Sequence, residues 1–213
     1  MTLDTLDARI ASKHLLDHPF YQRWTCGTLT RDELKEYARQ YWHYALAFPT
    51  FLSGIHAHTD DIAVRQLLLE NLIEEERGPE NHPELWLRFC ESLGLSRDEV
   101  KAGSPNDATR SLIACMQSLA REGALHEGLA ALYAYESQIP AVAKAKIAGL
   151  AQHYGMSAPA FFSVHEEADV HHSATSRELL ARLCDDDAKK AQAEKATGMV
   201  LDRLYGFLDS VTA

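Results

Sequence analysis

Residues 30–58, TRDELKEYARQYWHYALAFPTFLSGIHAH, decide the fold class. Thr30 and Glu33 have the spacing of a capping box, in which two side chains satisfy backbone N–H groups at a helix start. Apolar residues then recur with a period near 3.6, without the alternation of a strand. The stretch predicts one long helix through about His58. Pro49 should kink it, because proline removes a backbone donor and crowds the preceding turn.

Reading outward, the same period covers most of the chain. A helix from about Asp60 to Arg77 is stopped by Gly78-Pro79. One around Glu84–Leu93 ends at Gly94, and Ser96 caps a short successor. Later helices cover roughly Asp107–Ala120, Gly123–Ser137, Pro140–Tyr154, Ala158–His172 and Asp185–Val211. Pro140 suits a first helical turn, and Gly155 a helix end. Strand signals are poor, and there is no repeat, low-complexity tract or linker. The expectation is one all-α domain over residues 1–213, a bundle of seven to nine helices.

The chain has 213 residues, is 46% hydrophobic and carries a net charge of −10. A core is affordable, while nucleic acid and anionic membrane surfaces are poor partners for so acidic a protein. The start, MTLDTLDARI, lacks an apolar signal core, so secretion is not expected. The run YALAFPTFLSGI is too short to span a bilayer. Cys26, Cys90, Cys115 and Cys184 are widely and irregularly spaced, as expected of free thiols in a reducing cytoplasm.

A buried charge is costly unless it is paired or bound to a metal, so charged residues on apolar stripes are informative. In GLAALYAYESQIP, Glu136 follows Leu129, Leu132 and Tyr133 on one helical face. In VRQLLLENLIEEERGPENHP, Glu75 extends the stripe of Val64, Leu68 and Leu72. Glu76 is its rival, and Glu74 faces solvent more. His82 precedes Pro83, a position biased away from α, so it can turn back toward the end of the preceding helix. In FFSVHEEADVHHS, His165, Asp169 and His172 fall within an arc of roughly 60°, below Phe161 and Phe162. The rise from His165 to His172 is about 10.5 Å. That is long for one ion held by all three, and suits two ions about 3.5–4 Å apart. Glu75, His82, Glu136, His165, Asp169 and His172 thus form a candidate ligand set. Its oxygen and imidazole donors suit iron or manganese rather than a structural zinc.

HPFYQRW, EEERGPENHPELW, YAYESQIP and HEEADVHH together resemble the heme-oxygenase-like dinuclear metal oxidases. Within them the chain is most similar to the branch of the Chlamydia protein associating with death domains and its bacterial relatives. The HPF segment alone is weak, since it is shared across the wider PqqC/TenA-like superfamily of pyrroloquinoline-quinone-biosynthesis and thiaminase-like proteins. The E-x6-H, the YESQIP glutamate and H-x3-D-x2-H are specific. The resemblance implies a compact heme-oxygenase-like bundle, often a homodimer, holding two metal ions (Fe/Fe or Fe/Mn) on those six ligands. It implies dioxygen as co-substrate, an external reductant, and formation of para-aminobenzoate for folate synthesis. The ring would come from an internal tyrosine, matched by Tyr21, with Lys146 as amine donor and Tyr37 and Tyr135 lining the site.

Periodicity independently favours Lys146. Ile139, Ala143 and Leu150 put it on an apolar stripe, whereas Lys144 is off it. Desolvation would lower its pKa and free an amine. Tyr37, Tyr41 and Tyr44 share one face and read first as core. The competing readings are a dinuclear oxygenase of a free fatty acid or amine, a thiaminase-like hydrolase, and a metal-free binding or scaffold protein. The hydrolase would need a nucleophilic cysteine, and Cys115 lacks a supporting motif.

Overall fold

The computed structural model describes residues 3–212, with the side chains of residues 166–171 outside the description. Among the described residues there are eleven α-helices and one 3₁₀ turn, and no strand. The expected long helix is α3, Arg31–His56. Thr30 Oγ1 accepts from the Glu33 backbone N–H, and Glu33 returns the bond to Thr30 N. The helix continues through Pro49.

The other anticipated helices follow the punctuation of the sequence. They are α4 (Ile62–Glu76), α5 (His82–Ser92), α6 (Arg97–Ala102), α7 (Asp107–Arg121), α8 (Leu125–Glu136), α9 (Ile139–Tyr154), α10 (Ala160–Leu183) and α11 (Asp187–Ser210). Gly155 ends α9 with φ +65°, a left-handed conformation that glycine adopts without strain. None of the described helices is long and apolar enough to cross a membrane.

Three features depart from expectation. Two short N-terminal helices, α1 (Asp4–Ala11) and α2 (Pro19–Cys26), join the bundle, with the 3₁₀ turn Leu15–Asp17 between them. They are too short to show a clear period. Local caps make α2: the His18 imidazole accepts from Phe20 N, and Pro19 occupies the first turn. Second, α10 runs on past His172 to Leu183, because no glycine or proline interrupts it before Cys184. Third, His82 is not outside the α conformation but opens α5, where Asn81 caps by accepting from Glu84 N.

Helix α8 is apolar all round, and every residue from Gly128 to Glu136 is buried. Such a helix must sit inside the protein. It packs against α7, α10 and α11, while α3 packs against α4, α5 and α7. Between them lies an aromatic core of Trp24, Tyr37, Tyr44, Phe51, Trp86 and Phe89, all essentially inaccessible. Trp86 Nε1 donates to the Ala38 carbonyl at 2.9 Å, so the indole is buried without an orphan donor.

Helix α2 is held to α9 by a close approach. A Cβ on Gly149 would lie 2.7 Å from Trp24 Cδ1, so only glycine admits the indole there. Trp24 Nε1 then donates to the Lys146 carbonyl at 3.2 Å. This contact seats Tyr21, one turn earlier on α2, over α9.

Candidate metal centre and its aromatic chamber

Helix α4 carries Glu75 inward at its last turn, and the break at Gly78, with φ +81°, redirects the chain into α5. His82, at the start of α5, thereby returns to Glu75. Its Nδ1 lies 2.8 Å from Glu75 Oε2. On α10, Phe161 and Phe162 pack edge-on against Trp86 and Phe89, which fixes the helix and places His165 one turn later. The His165 and His82 ring centroids are 4.3 Å apart. Glu75, His82 and His165 are all buried, and each offers a ligand atom within 4.8 Å of the others. Of the neighbouring glutamates, Glu74 and Glu76 are exposed.

His165 Nδ1 lies 2.6 Å from the Phe161 carbonyl, which can only accept. The proton therefore sits on Nδ1, and the Nε2 lone pair is left for ligation. Burial, reinforced by His82, drives its pKa down to about 3, so the ring is neutral at physiological pH. A neutral imidazole beside a carboxylate is the protonation state a metal requires.

Glu136, at the end of α8, is 1% exposed. Its Oε1 accepts from Asn71 Nδ2 at 2.9 Å. Its Oε2 is buried with no hydrogen-bond partner among the described residues. Burial pushes the carboxyl pKa up, the Asn71 amide opposes this, and the charge on Glu75 adds to the rise. An orphaned carboxylate oxygen electrostatically coupled to Glu75 fits a cation, so the donor set suits a metal.

Of the six sequence-derived candidates, the described residues bring Glu75, His82 and His165 within ligand distance of one another. His172 is not in the triad: its Nε2 lies 2.9 Å from Glu74 Oε2. The rise of about 10.5 Å along α10 carries it away from His165. It lines a water-sized cavity of about 20 Å³ that Asn71 also lines. The Asp169 side chain lies outside the described residues.

A second chamber adjoins the triad. Lys146 is 4% exposed on α9. Its Nζ donates to Tyr37 Oη at 2.5 Å. The same Nζ is 5.4 Å from the Tyr21 ring centre, 4.8 Å from that of Tyr37 and 4.9 Å from that of Phe162. Burial lowers its pKa from 10.5 to about 7, so half or more of the amine is neutral above neutrality. Lys144, by contrast, is exposed. Tyr21 and Tyr37 line the same chamber as Lys146, and burial raises the pKa of both phenols. The Tyr37 hydroxyl thus holds the Lys146 amine beside the Tyr21 ring.

Tyr41 and Tyr135 stand between the two regions with their hydroxyls hydrogen-bonded. Both line the cavity beside Glu75, His82 and His165, and both line the cavity beside Tyr21, Tyr37 and Lys146. Sequence reasoning missed Tyr41 as a bridging residue, and missed Asn71 and Glu74 as partners of proposed ligands. The one available signal was Asn71 standing one turn before Glu75.

A sequence profile of the TENA/THI-4/PQQC family matches residues 6–211. The chain is 46% identical over 211 residues to 4-aminobenzoate synthase of Chlamydia muridarum, covering 98% of this chain and 89% of that protein. It is 41% identical over 218 residues to 4-aminobenzoate synthase of Nitrosomonas europaea, covering 97% and 89%. A solved domain with a heme-oxygenase-like fold from Shewanella denitrificans superposes with a TM-score of 0.85 at 19% identity, covering 100% of this chain and 92% of the other.

Proposed function

The chain belongs to the TENA/THI-4/PQQC family, and from that premise we propose that it is a metal-dependent enzyme that forms 4-aminobenzoate from its own Tyr21. Relatives that share more than two-fifths of its residues are named 4-aminobenzoate synthase. The product's chemistry explains the site. Tyrosine and 4-aminobenzoate share a para-substituted ring. Making one from the other requires cleaving Cα–Cβ, oxidising Cβ to a carboxylate and exchanging the phenol oxygen for nitrogen.

The observation that carries the reading is the enclosure of Tyr21, Tyr37 and Lys146 in one small chamber, with Lys146 Nζ 5.4 Å from the Tyr21 ring centre and donating to Tyr37 Oη. The ring to be aminated and a partly neutral amine face one another in that chamber. The chamber around them is about 20 Å³, room for a water molecule. A free aromatic substrate needs a pocket of several hundred Å³. That favours an internal ring over an added one.

Glu75, His82 and His165 would hold metal, joined by Glu136 and, from farther along α10, Asp169 and His172. Two bound first-row ions, Fe/Fe or Fe/Mn, would supply oxidation by dioxygen with electrons from an external reductant. The protein's own groups do the rest. His165 presents Nε2 because the Phe161 carbonyl holds Nδ1–H. The Tyr41–Tyr135 pair closes the wall between metal ligands and Tyr21. The rings around Lys146 deny an ammonium its hydration and so favour the neutral amine. An enzyme that uses its own side chain stops after one turnover.

The test is metal content per chain after anaerobic loading, followed by product analysis under dioxygen with a reductant. About two ions per chain, and no more than one 4-aminobenzoate per chain, are expected. Tyr21→Phe should keep the metal and lose the product. Near-zero metal in the wild type, or many turnovers on an added small molecule, would overturn the reading.

A further inference from the structure

We propose that Asn71 is a positioning residue for Glu136, fixing one carboxylate oxygen so that the other is presented for metal binding. The inference rests on the reading of Glu136 as a ligand. Asn71 is 6% exposed and lies on the buried face of α4, one turn before Glu75. Its Nδ2 donates to Glu136 Oε1 at 2.9 Å, a bond buried at both ends. The partner oxygen, Oε2, has no donor among the described residues and is fully enclosed. A carboxylate with one oxygen tied and one bare has a fixed rotation about its last torsion. That torsion is otherwise broad, so the amide removes freedom that ligation would have to remove.

The residue type fits this task. The cluster already holds the Glu75 and Glu136 carboxylates in the interior. An aspartate at position 71 would add another negative charge and, when ionised, no donor. An asparagine of the same shape donates without changing the charge. The position fits as well. Asn71 and Glu75 share one rigid helical turn, so α4 supplies one ligand directly and orients another that arrives on α8. Asn71 also lines the small cavity that His172, the more distant candidate ligand, lines. Groups that orient a metal ligand are typically worth 10–100-fold in metal affinity.

The experiment is an anaerobic competition titration of the full-length protein with Mn²⁺ and Fe²⁺ against a chromophoric chelator. Four proteins are compared: wild type, Asn71→Leu, Glu136→Gln, and the double variant. Asn71→Leu should weaken one binding step by about tenfold or more. The double variant should bind no more weakly than Glu136→Gln alone, because the amide acts only through that carboxylate. Asn71→Ala serves in place of Asn71→Leu if the leucine does not fit, and thermal unfolding of the metal-free proteins checks that each is folded. Unchanged affinity in the Asn71 variants, or a loss that persists in full in the Glu136→Gln background, would overturn the positioning role while leaving the metal centre intact. A wild type that binds neither ion would overturn both.

Discussion

Lys146 Nζ lies 2.5 Å from Tyr37 Oη, sealed among aromatic rings. An ammonium group has few substitutes there for its lost hydration, and the cost appears as a pKa lowered by burial to about 7. Unfolded, the lysine would titrate near 10.5. Between those values the unfolded chain binds a proton that the folded chain does not, so stability rises with pH across that window. Below about 7 the penalty is present in full, and above about 10.5 it is gone. Lys146→Met should therefore gain stability over wild type most near pH 6, on the order of a few kcal/mol, and converge with it near pH 10. Urea unfolding at both pH values checks this, and a gain independent of pH would contradict it.

Tyr37→Phe keeps the ring that packs against Phe20, Trp86 and Phe207 but removes the hydroxyl that accepts from Lys146 in the Tyr21 chamber. Metal content should stay at the wild-type level, while 4-aminobenzoate yield falls at least tenfold. Mass spectrometry of the released product, alongside elemental analysis of the protein, separates the two effects. Full product yield would show that this hydroxyl is dispensable.

Gly149→Ala should be destabilising although alanine is the better helix former. The added methyl would meet Trp24 Cδ1 at 2.7 Å and the Trp24 carbonyl at 3.1 Å, so α2 must shift. Overpacking of this kind costs about 1–3 kcal/mol. Chemical denaturation measures it. Since Tyr21 rides on α2, product yield should fall as well while metal binding is kept.

Thr30→Ala removes the acceptor for Glu33 N at the start of α3. A cost of about 1 kcal/mol is expected, with product yield and metal content unchanged, because the cap is remote from the chambers. Equilibrium unfolding reports the first quantity. A loss of metal would mean that α3 is less rigid than its packing indicates.

Local rules made much of this legible. The capping box at Thr30 and Glu33, the break at Gly78-Pro79 and the stop at Gly155 each mark a helix end in the structure. Stripe position favoured Glu75 over Glu74 while leaving Glu76 as a rival, and it supported Lys146, which the resemblance implies, over Lys144, because a helix turns each residue to a fixed side. What remained hidden depends on contacts between helices. Asn71 looks like an ordinary polar residue until α8 brings Glu136 against it. Tyr41 reads as core until its hydroxyl meets that of Tyr135. His172 lies on the same stripe as His165, but only the packing of α10 on α4 reveals that it meets Glu74. The N-terminal helices were invisible because periods cannot be read from eight residues.

The docking of α2 through Trp24 and Gly149 has a kinetic consequence. Tyr21 is 4% exposed, and the cavity beside it has no room for a loose aromatic acid. On the proposed reaction, a product made from that side chain would be enclosed until α2 lifts from α9. Release is then governed by a breathing motion of the native state, whose frequency amide hydrogen exchange along residues 19–26 would report. On the proposed reaction such a protein would be a timed capsule, its retention set by the contacts of α2 on α9, the glycine–indole approach among them.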